Sequence, residues 1–274
     1  MTCTDNIVSD KYCLWNASRR GDLDSVRMLL DTNTSDIENS GKDGMTSLLT
    51  AVMSGFDDVA ELLMDHGADM YATTATGCTI LHLACSAHRV YGRGGRSILV
   101  RILKSIVHEK RLDINAQTYD GKTALHMSVC TGTTNSLRQL LIFNADPSVT
   151  DFDRKTPFHY ATLRGDIEAS RLLLRYTANS RLDLQDIDGN TVMHNAAGFR
   201  MHATNHHFLQ SVPCCVEIVS MLIEAGATVS LENLVGLTPL DIATTCNEHA
   251  TMYIIQTEFN RRTLLDEFKK SIRL

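Results

Sequence analysis

Apolar and polar residues follow one another along this chain in a pattern that returns every 33 residues, with 2, 11 or 14 extra residues in three of the intervals. Each copy begins with a Gly, replaced by Arg154 in the fourth copy, then one variable residue, a Thr and an apolar pair, as in Gly77-Cys-Thr-Ile-Leu-His82. The threonines that mark the copies are separated by 33, 44, 33, 35 and 47 residues, and they are Thr46, Thr79, Thr123, Thr156, Thr191 and Thr238. Self-similarity at such a period indicates a protein built from repeated supersecondary units.

A second apolar pattern follows the first and predicts a second helix in each unit. Val59-Ala-Glu-Leu-Leu63 and Ile218-Val-Ser-Met-Leu222 are its clearest copies, and each is followed by a Gly-Ala pair. Apolar residues three and four positions apart lie on one face of a helix. No single pair of helices can bury both of its apolar faces, so we expect successive pairs to pack against one another.

Residues at fixed places in the repeat predict where the helices begin and where the chain turns. The Thr hydroxyl can cap the first helix, and Pro157 and Pro239 suit its first position, where the N–H has no partner. Glycines suit a left-handed turn between helices or at a helix C-terminus, and these are Gly55, Gly132, Gly165, Gly67 and Gly226. Aspartates before the repeat Gly are expected to supply the chemistry of a tight turn, and they are Asp43, Asp120, Asp153 and Asp188.

These patterns resemble the ankyrin repeat, a 33-residue unit with the motif T-P-L-H-x-A. The resemblance covers about residues 11–258 and implies an all-α fold, an ankyrin-repeat solenoid of about seven helix-turn-helix units with β-turn or hairpin fingers. We expect an N-terminal extension at 1–10 and a basic amphipathic helix at 259–274 that either caps the last unit or docks on a partner. The seven units between them are expected at 11–43, 44–76, 77–120, 121–153, 154–188, 189–235 and 236–258.

Four histidines occupy one position of the repeat: His82, His126, His159 and His194. Each unit contributes one, so we expect them to lie about 10 Å apart, the spacing of packed helices. A metal ion needs its ligands within about 2 Å, which this spacing excludes for a shared ion. The resemblance implies a framework role, in which each His bonds to the repeat Thr and to neighbouring backbone.

Composition and motifs narrow the classes of function. The chain has 274 residues, 43% of them hydrophobic, and a net charge of −6, which argues against intrinsic disorder and against binding to a nucleic-acid backbone. Eight cysteines without a C-x-x-C pair favour reduced thiols, with Cys78, Cys85 and Cys130 at small core positions. No nucleotide-binding, serine-hydrolase or zinc-protease motif occurs. We therefore expect no enzyme activity, no cofactor, a monomer, and a cytoplasmic and also nuclear location.

A row of apolar residues departs from the repeat. Tyr119, Phe152, Ile187 and Leu234 stand two residues before the repeat Gly position, at the predicted finger tip. A solvent-facing apolar strip is costly unless something covers it, and aromatic residues are favoured anchors in interfaces. These residues either bind a partner or fold back, half-buried, on the neighbouring finger. The candidate partner-binding residues are Tyr119, Phe152, Ile187, Leu234, Lys122, Lys155, Arg93 and Arg96.

Two insertions and the tail also depart from the repeat. The first insertion, 86–96, contains Arg93 and Arg96, and it either binds an anion or is a loop without a ligand. The same unit has four further extra residues, which are expected in the finger around 108–111. The second insertion, 198–213, contains three residues of a type that binds zinc, His202, His206 and His207. His202 and His206 would lie close together only if the loop were helical, which nothing in the sequence requires, so no metal site is expected. In the tail, Leu264, Leu265, Phe268 and Ile272 fall at helical spacing among basic residues.

The predicted function is a non-enzymatic protein-binding module that uses the finger edge and the concave face of the stack. Within the ankyrin family, the segment 112–126 resembles the IκB-like group, which implies a Rel-type transcription factor as partner and an inhibitory role. Two alternatives remain open at this point. One is a regulatory or substrate-presenting subunit of an enzyme complex, and the other is a microbial or viral effector that mimics a host ankyrin protein.

Overall fold

The computed structural model describes residues 13–32, 36–86, 95–109, 112–198 and 212–272. Over these residues it contains fourteen α-helices and no strand, with one isolated β-bridge between Ser40 and Thr46. The expected all-α class is therefore confirmed. The chain forms two compact units, Met1–Asp146 and Pro147–Leu274.

The described part of the first unit contains four pairs of helices. The first helix of each pair packs on the first helix of the next pair, and the second helices do the same, which gives two layers. The helices are α1 (Leu14–Arg20), α2 (Leu23–Asp31), α3 (Ser47–Ser54), α4 (Asp57–Asp65), α5 (Ile80–Ser86), α6 (Gly95–Glu109), α7 (Ala124–Cys130) and α8 (Thr134–Ile142), with a 3₁₀ turn at Lys42–Gly44.

The described part of the second unit contains three pairs in the same two layers. Helix α9 packs on α11 and α11 on α13, while α10 packs on α12 and α12 on α14. Their bounds are α9 (Pro157–Leu163), α10 (Ile167–Tyr176), α11 (Val192–Ala197), α12 (Val212–Glu224), α13 (Pro239–Thr245) and α14 (His249–Ile272), with a 3₁₀ turn at Asn179–Arg181. This layering buries the apolar face of each helix: Leu173, Met193, Val219 and Leu222, for example, are fully buried.

The helix ends form as the sequence predicts. The Thr side chain accepts a hydrogen bond from the backbone N–H three residues on at Thr46, Thr123, Thr156, Thr191 and Thr238. Pro157 and Pro239 occupy the first helical position. All five predicted glycines adopt left-handed backbone, with φ between 63° and 90°. These caps satisfy backbone groups that a helix end leaves without partners.

Two expectations about particular residues need correction. Helix α6 has 15 residues, whereas α4 and α8 have 9 each. His108 and Glu109 therefore lengthen this helix, and the prediction that placed them in a finger was wrong, because helical hydrogen bonding continues through them. Of the three cysteines assigned to the core, Cys85 is fully buried, and burial raises its thiol pKa to about 12. Cys78 and Cys130 are only half-buried.

The tail continues the last helix of the repeats. Helix α14 runs without interruption through 24 residues, and every residue from Thr263 to Ser271 is exposed. Just before this segment, Glu258 accepts hydrogen bonds from Arg261 Nε at 2.7 Å and Arg262 Nε at 2.6 Å, while Arg262 Nη1 donates to the Ala227 carbonyl at 2.9 Å. These bonds fasten α14 to the turn after α12. Residues 263–271 cover no face of the last repeat.

Glycine substitutions test how closely the fingers of the second unit pack. A Cβ on Gly189 would lie 2.6 Å from the backbone N of Leu234, whereas nothing lies within 4 Å of a Cβ on Gly236. Both residues have left-handed φ, 77° and 79°. We expect Gly236→Ala to lower the free energy of unfolding by about 1–2 kcal/mol, the cost of left-handed backbone. Gly189→Ala should lose a further ~1–3 kcal/mol through overpacking.

Urea unfolding of the two variants beside the unmodified chain measures this difference. Equal losses for Gly189→Ala and Gly236→Ala would show that the contact between neighbouring fingers is looser than the structure has it.

Candidate interaction site

The fingers are tight turns closed by a polar side chain at their base. Asp186 Oδ1 accepts from the N–H groups of Asp188 at 3.0 Å and Asn190 at 2.9 Å. Asn233 Oδ1 accepts in the same way from Val235 at 3.1 Å and Leu237 at 3.0 Å. The side chain three residues before the repeat Gly position therefore supplies the turn chemistry. The prediction that gave this role to Asp120, Asp153 and Asp188 was wrong, because a carboxylate next to the Gly does not accept these bonds.

Backbone hydrogen bonds join each finger to the next. In the second unit, Ile187 N–H donates to the Asp153 carbonyl at 2.8 Å and Leu234 N–H donates to the Asp188 carbonyl at 3.0 Å. In the first unit, Tyr119 N–H donates to the Thr76 carbonyl at 3.0 Å. The finger-tip residue thus gives its backbone to the framework, and its side chain takes no part in these bonds.

The finger-tip side chains lie in solvent. Phe152 is 72% exposed, Leu234 79%, Tyr119 69% and Ile187 51%. Ile187 alone is about half-buried, the state that the other interpretation of the sequence expected of all four. The Tyr119 ring lies close to Gly77 of the neighbouring finger but is still largely exposed.

Sequence reasoning missed a further residue of this surface. Val235, next to Leu234, is 79% exposed. The signal was present, because Gly236 follows two apolar residues where Gly121 and Gly189 follow an apolar residue and an Asp. We use the name finger edge for Phe152, Ile187, Leu234 and Val235 of the second unit.

The predicted basic residues have different surroundings. Lys155 is mostly buried, with its Nζ 3.7 Å from Asp153 Oδ2 and 3.9 Å from Asp186 Oδ2, so it neutralises one acid of its own finger and one of the next. Lys122 is half-buried, and its carbonyl accepts a bond from His82. Arg96 lies in the first turn of α6. The remaining candidates lie outside the described residues, and they are Arg93, His202, His206 and His207.

The repeat histidines are buried framework groups. Thr156 N–H donates to His159 Nδ1 at 3.1 Å, which leaves the ring proton on Nε2. Nε2 donates to the carbonyls of Leu184 at 3.2 Å and Asn190 at 3.3 Å. Burial lowers the pKa of His159, and it does the same for His82 and His194. The imidazoles of His82, His159 and His194 are therefore neutral hydrogen-bond bridges between neighbouring repeats.

Three overlapping copies of the family model for ankyrin repeats match residues 14–93, 90–182 and 129–211. The chain belongs to the ankyrin-repeat family. Proteins of this family share a framework for protein–protein interaction, and the histidine bridges and finger bonds described above are that framework in this ankyrin-repeat protein.

The chain is similar to the Bcl-3 protein in both sequence and structure. The mouse B-cell lymphoma 3 protein homolog is 30% identical over 199 residues, which are 72% of this chain and 39% of that protein. The crystal structure of the ankyrin repeat domain of Bcl-3, described as a unique member of the IkappaB protein family, superposes with a TM-score of 0.68 at 27% identity, covering 89% of this chain and 97% of that domain.

A Lachancea kluyveri palmitoyltransferase, AKR1, is 28% identical over 163 residues, 60% of this chain and 21% of that enzyme. The chain thus spans well under half the length of these curated relatives. Within its described ranges, no helix is long and apolar enough to cross a membrane, and no group of three or more His, Cys, Asp or Glu side chains is placed to hold a metal ion.

The neutral histidines predict how stability depends on pH. Their folded-state pKa lies below the ordinary value of 6.5, so the unfolded chain binds more protons once the pH falls below that value. The contribution of the neutral histidines to the free energy of unfolding should be complete above about pH 6.5 and should decline as the pH falls towards the lowered pKa. His159→Gln should cost about 1–3 kcal/mol through unpaired buried groups and should make this decline shallower.

Thermal unfolding followed between pH 5 and pH 8 tests the slope, with about 6.5 as the expected onset. Exposed His249→Gln is the matched control and should keep the original slope. A decline of the same steepness in His159→Gln would contradict the assignment of the slope to the buried histidines.

Proposed function

We propose that this ankyrin-repeat protein binds a partner protein through the finger edge. The carrying observation is that four large apolar side chains on three consecutive fingers are at least 51% exposed. The framework bonds use only backbone and the side chains at the finger bases, so these apolar tips contribute little to the stability of the repeats. Apolar side chains grouped in this way are typical of interaction surfaces. Phe152 is the expected main anchor, since aromatic residues carry much of the energy of interfaces.

We propose further that the partner is a Rel-type transcription factor and that the role is inhibitory, as in the IκB-like group. Support comes from the match to Bcl-3, which extends over 97% of its ankyrin repeat domain. The segment 112–126 with its IκB-like sequence lies in the described part of the chain and forms the finger and first helix that the resemblance implies. Action on such a factor would place the chain in the cytoplasm and the nucleus.

A direct binding measurement tests both levels of the proposal. Purified chain is titrated with a Rel-homology domain by calorimetry, beside the double variant Phe152→Asp with Leu234→Asp. Charges at two anchor positions should weaken binding by at least tenfold, which corresponds to about 1.4 kcal/mol. Tyr253→Asp is the matched control, because Tyr253 is 73% exposed but belongs to α14 and not to a finger.

The contact surface and the identity of the partner are tested separately. Binding that is equally strong in the double variant would show that the finger edge is not the contact. Absence of binding by the unmodified chain would exclude the Rel-type partner.

A further inference from the structure

Arg154 occupies a turn position that the other fingers give to glycine. In the other five copies of the turn this residue has left-handed backbone with φ between 71° and 79°, and it is Gly44, Gly77, Gly121, Gly189 or Gly236. Arg154 has φ 59°, and every other described residue with a side chain in this region is an Asn or an Asp. Left-handed backbone is unfavourable for a residue with a Cβ, and Asn and Asp tolerate it best because they hydrogen-bond locally. Arg154 therefore strains its finger.

The turn itself does not require an arginine. The backbone N–H of Arg154 donates to the Asp151 carbonyl at 2.9 Å, as that of Gly189 donates to the Asp186 carbonyl at 3.0 Å. A glycine would close the same turn with less strain. Arg154 is exposed, and its guanidinium makes no hydrogen bond or ion pair with any residue that the structure describes. Strain that no local contact explains is typical of functional positions.

The exposed charges change sign along the fingers that carry the finger edge. These fingers are residues 151–155, 186–190 and 232–236. In the first of them, Lys155 is paired with the exposed Asp153, so Arg154 remains as the unpaired exposed charge. In the next two, the exposed charges are Asp188 and Glu232, whose carboxylates have no partner within the described part of the chain. One positive and then two negative groups thus lie beside the apolar tips.

The framework fixes the order of these charges. Ile187 N–H donates to the Asp153 carbonyl and Leu234 N–H to the Asp188 carbonyl, so each finger is held against the next. Successive repeats pack at about 10 Å, the distance between neighbouring helices. Charges at this separation are still felt by a bound segment, because the Debye length at physiological salt is about 8 Å.

We infer that the finger edge binds a segment of its partner in one direction, which these charges set. The segment supplies apolar side chains for the tips, a carboxylate at the end that meets Arg154, and basic side chains at the end that meets Asp188 and Glu232. Apolar anchors provide most of the affinity, whereas complementary charges fix register and oppose a reversed segment. A guanidinium can bind a carboxylate through two parallel hydrogen bonds, which makes Arg154 the specificity residue. The inference rests on the proposed function, since it needs the finger edge as the binding surface.

Selection from a displayed library of random peptides tests this chemistry without a known partner. Peptides of about ten residues are long enough in extended form to span the three fingers. The unmodified chain should enrich apolar peptides with Asp or Glu towards one end and Lys or Arg towards the other. In calorimetry, exchanging one acidic and one basic residue of the best peptide should weaken its binding about tenfold, because like charges then meet.

Substitution of Arg154 separates a binding role from a structural one. Arg154→Gly should bind the best peptide about tenfold more weakly, yet its melting temperature should rise by roughly 2–4 °C because the strain is removed. Arg154→Lys keeps both charge and strain, so it should retain most of the binding. Asp188→Asn with Glu232→Gln should lose the preference for basic residues. Arg175→Gln, an exposed position on α10, is the matched control and should change neither property.

Two kinds of failure are distinguishable. Equal enrichment by the double variant Phe152→Asp with Leu234→Asp would show that the finger edge is not the binding surface, and the proposed function would fail with it. Peptides that need the edge but bind Arg154→Gly undiminished, or bind equally well after the charge exchange, would overturn the inference alone. A selection that enriches no peptide would also overturn it, while the calorimetry with the Rel-homology domain would still decide the proposed function.

Discussion

Buried neutral imidazoles, those of His82, His159 and His194, each join one repeat to the next, and the stacking of these repeats depends on them. One ring nitrogen accepts from the N–H of the Thr that caps its own helix, and the other donates to carbonyls of the following finger, as in His82 to Lys122 and His194 to Leu237. The same residue thus fixes where a helix begins and where the next finger lies. A charged imidazole would lose the first bond, which is why burial and neutrality go together here.

In each finger, the residues that hold the fold together differ from those whose side chains face solvent at the tip. Their turns are closed by side chains such as Asp186 and Asn233, and their backbones bond to one another. The tip side chains take no part in either, so their identity is free to follow a binding partner instead of the fold. In the second unit these positions hold apolar residues together with exposed acids, a combination that stability alone does not require.

The repeat period and the helix caps could be predicted because they depend on local chemistry. A Thr, a Pro or a Gly acts on its own turn of backbone, and Thr156, Pro157 and Gly165 do what their positions indicate. Lys155 could not be assigned from sequence, because its ion pairs with Asp153 and Asp186 depend on how two fingers meet. The extension of α6 through His108 and Glu109 was missed for a related reason, since the repeat pattern describes where helices usually end but not where an inserted segment joins them.

The clamp around Glu258 has a mechanical consequence. Its bond to Arg261, together with Arg262, lowers the pKa of this carboxyl to about 2, so the clamp stays charged in any physiological medium. Because Arg262 also donates to the Ala227 carbonyl in the turn after α12, the exposed end of α14 is a lever attached to the last repeat. A pulling force applied to that lever would be transmitted to α12 and α13, and repeat arrays can yield one unit at a time. Tension would therefore detach the terminal repeat before it disturbed the fingers carrying Phe152 and Ile187.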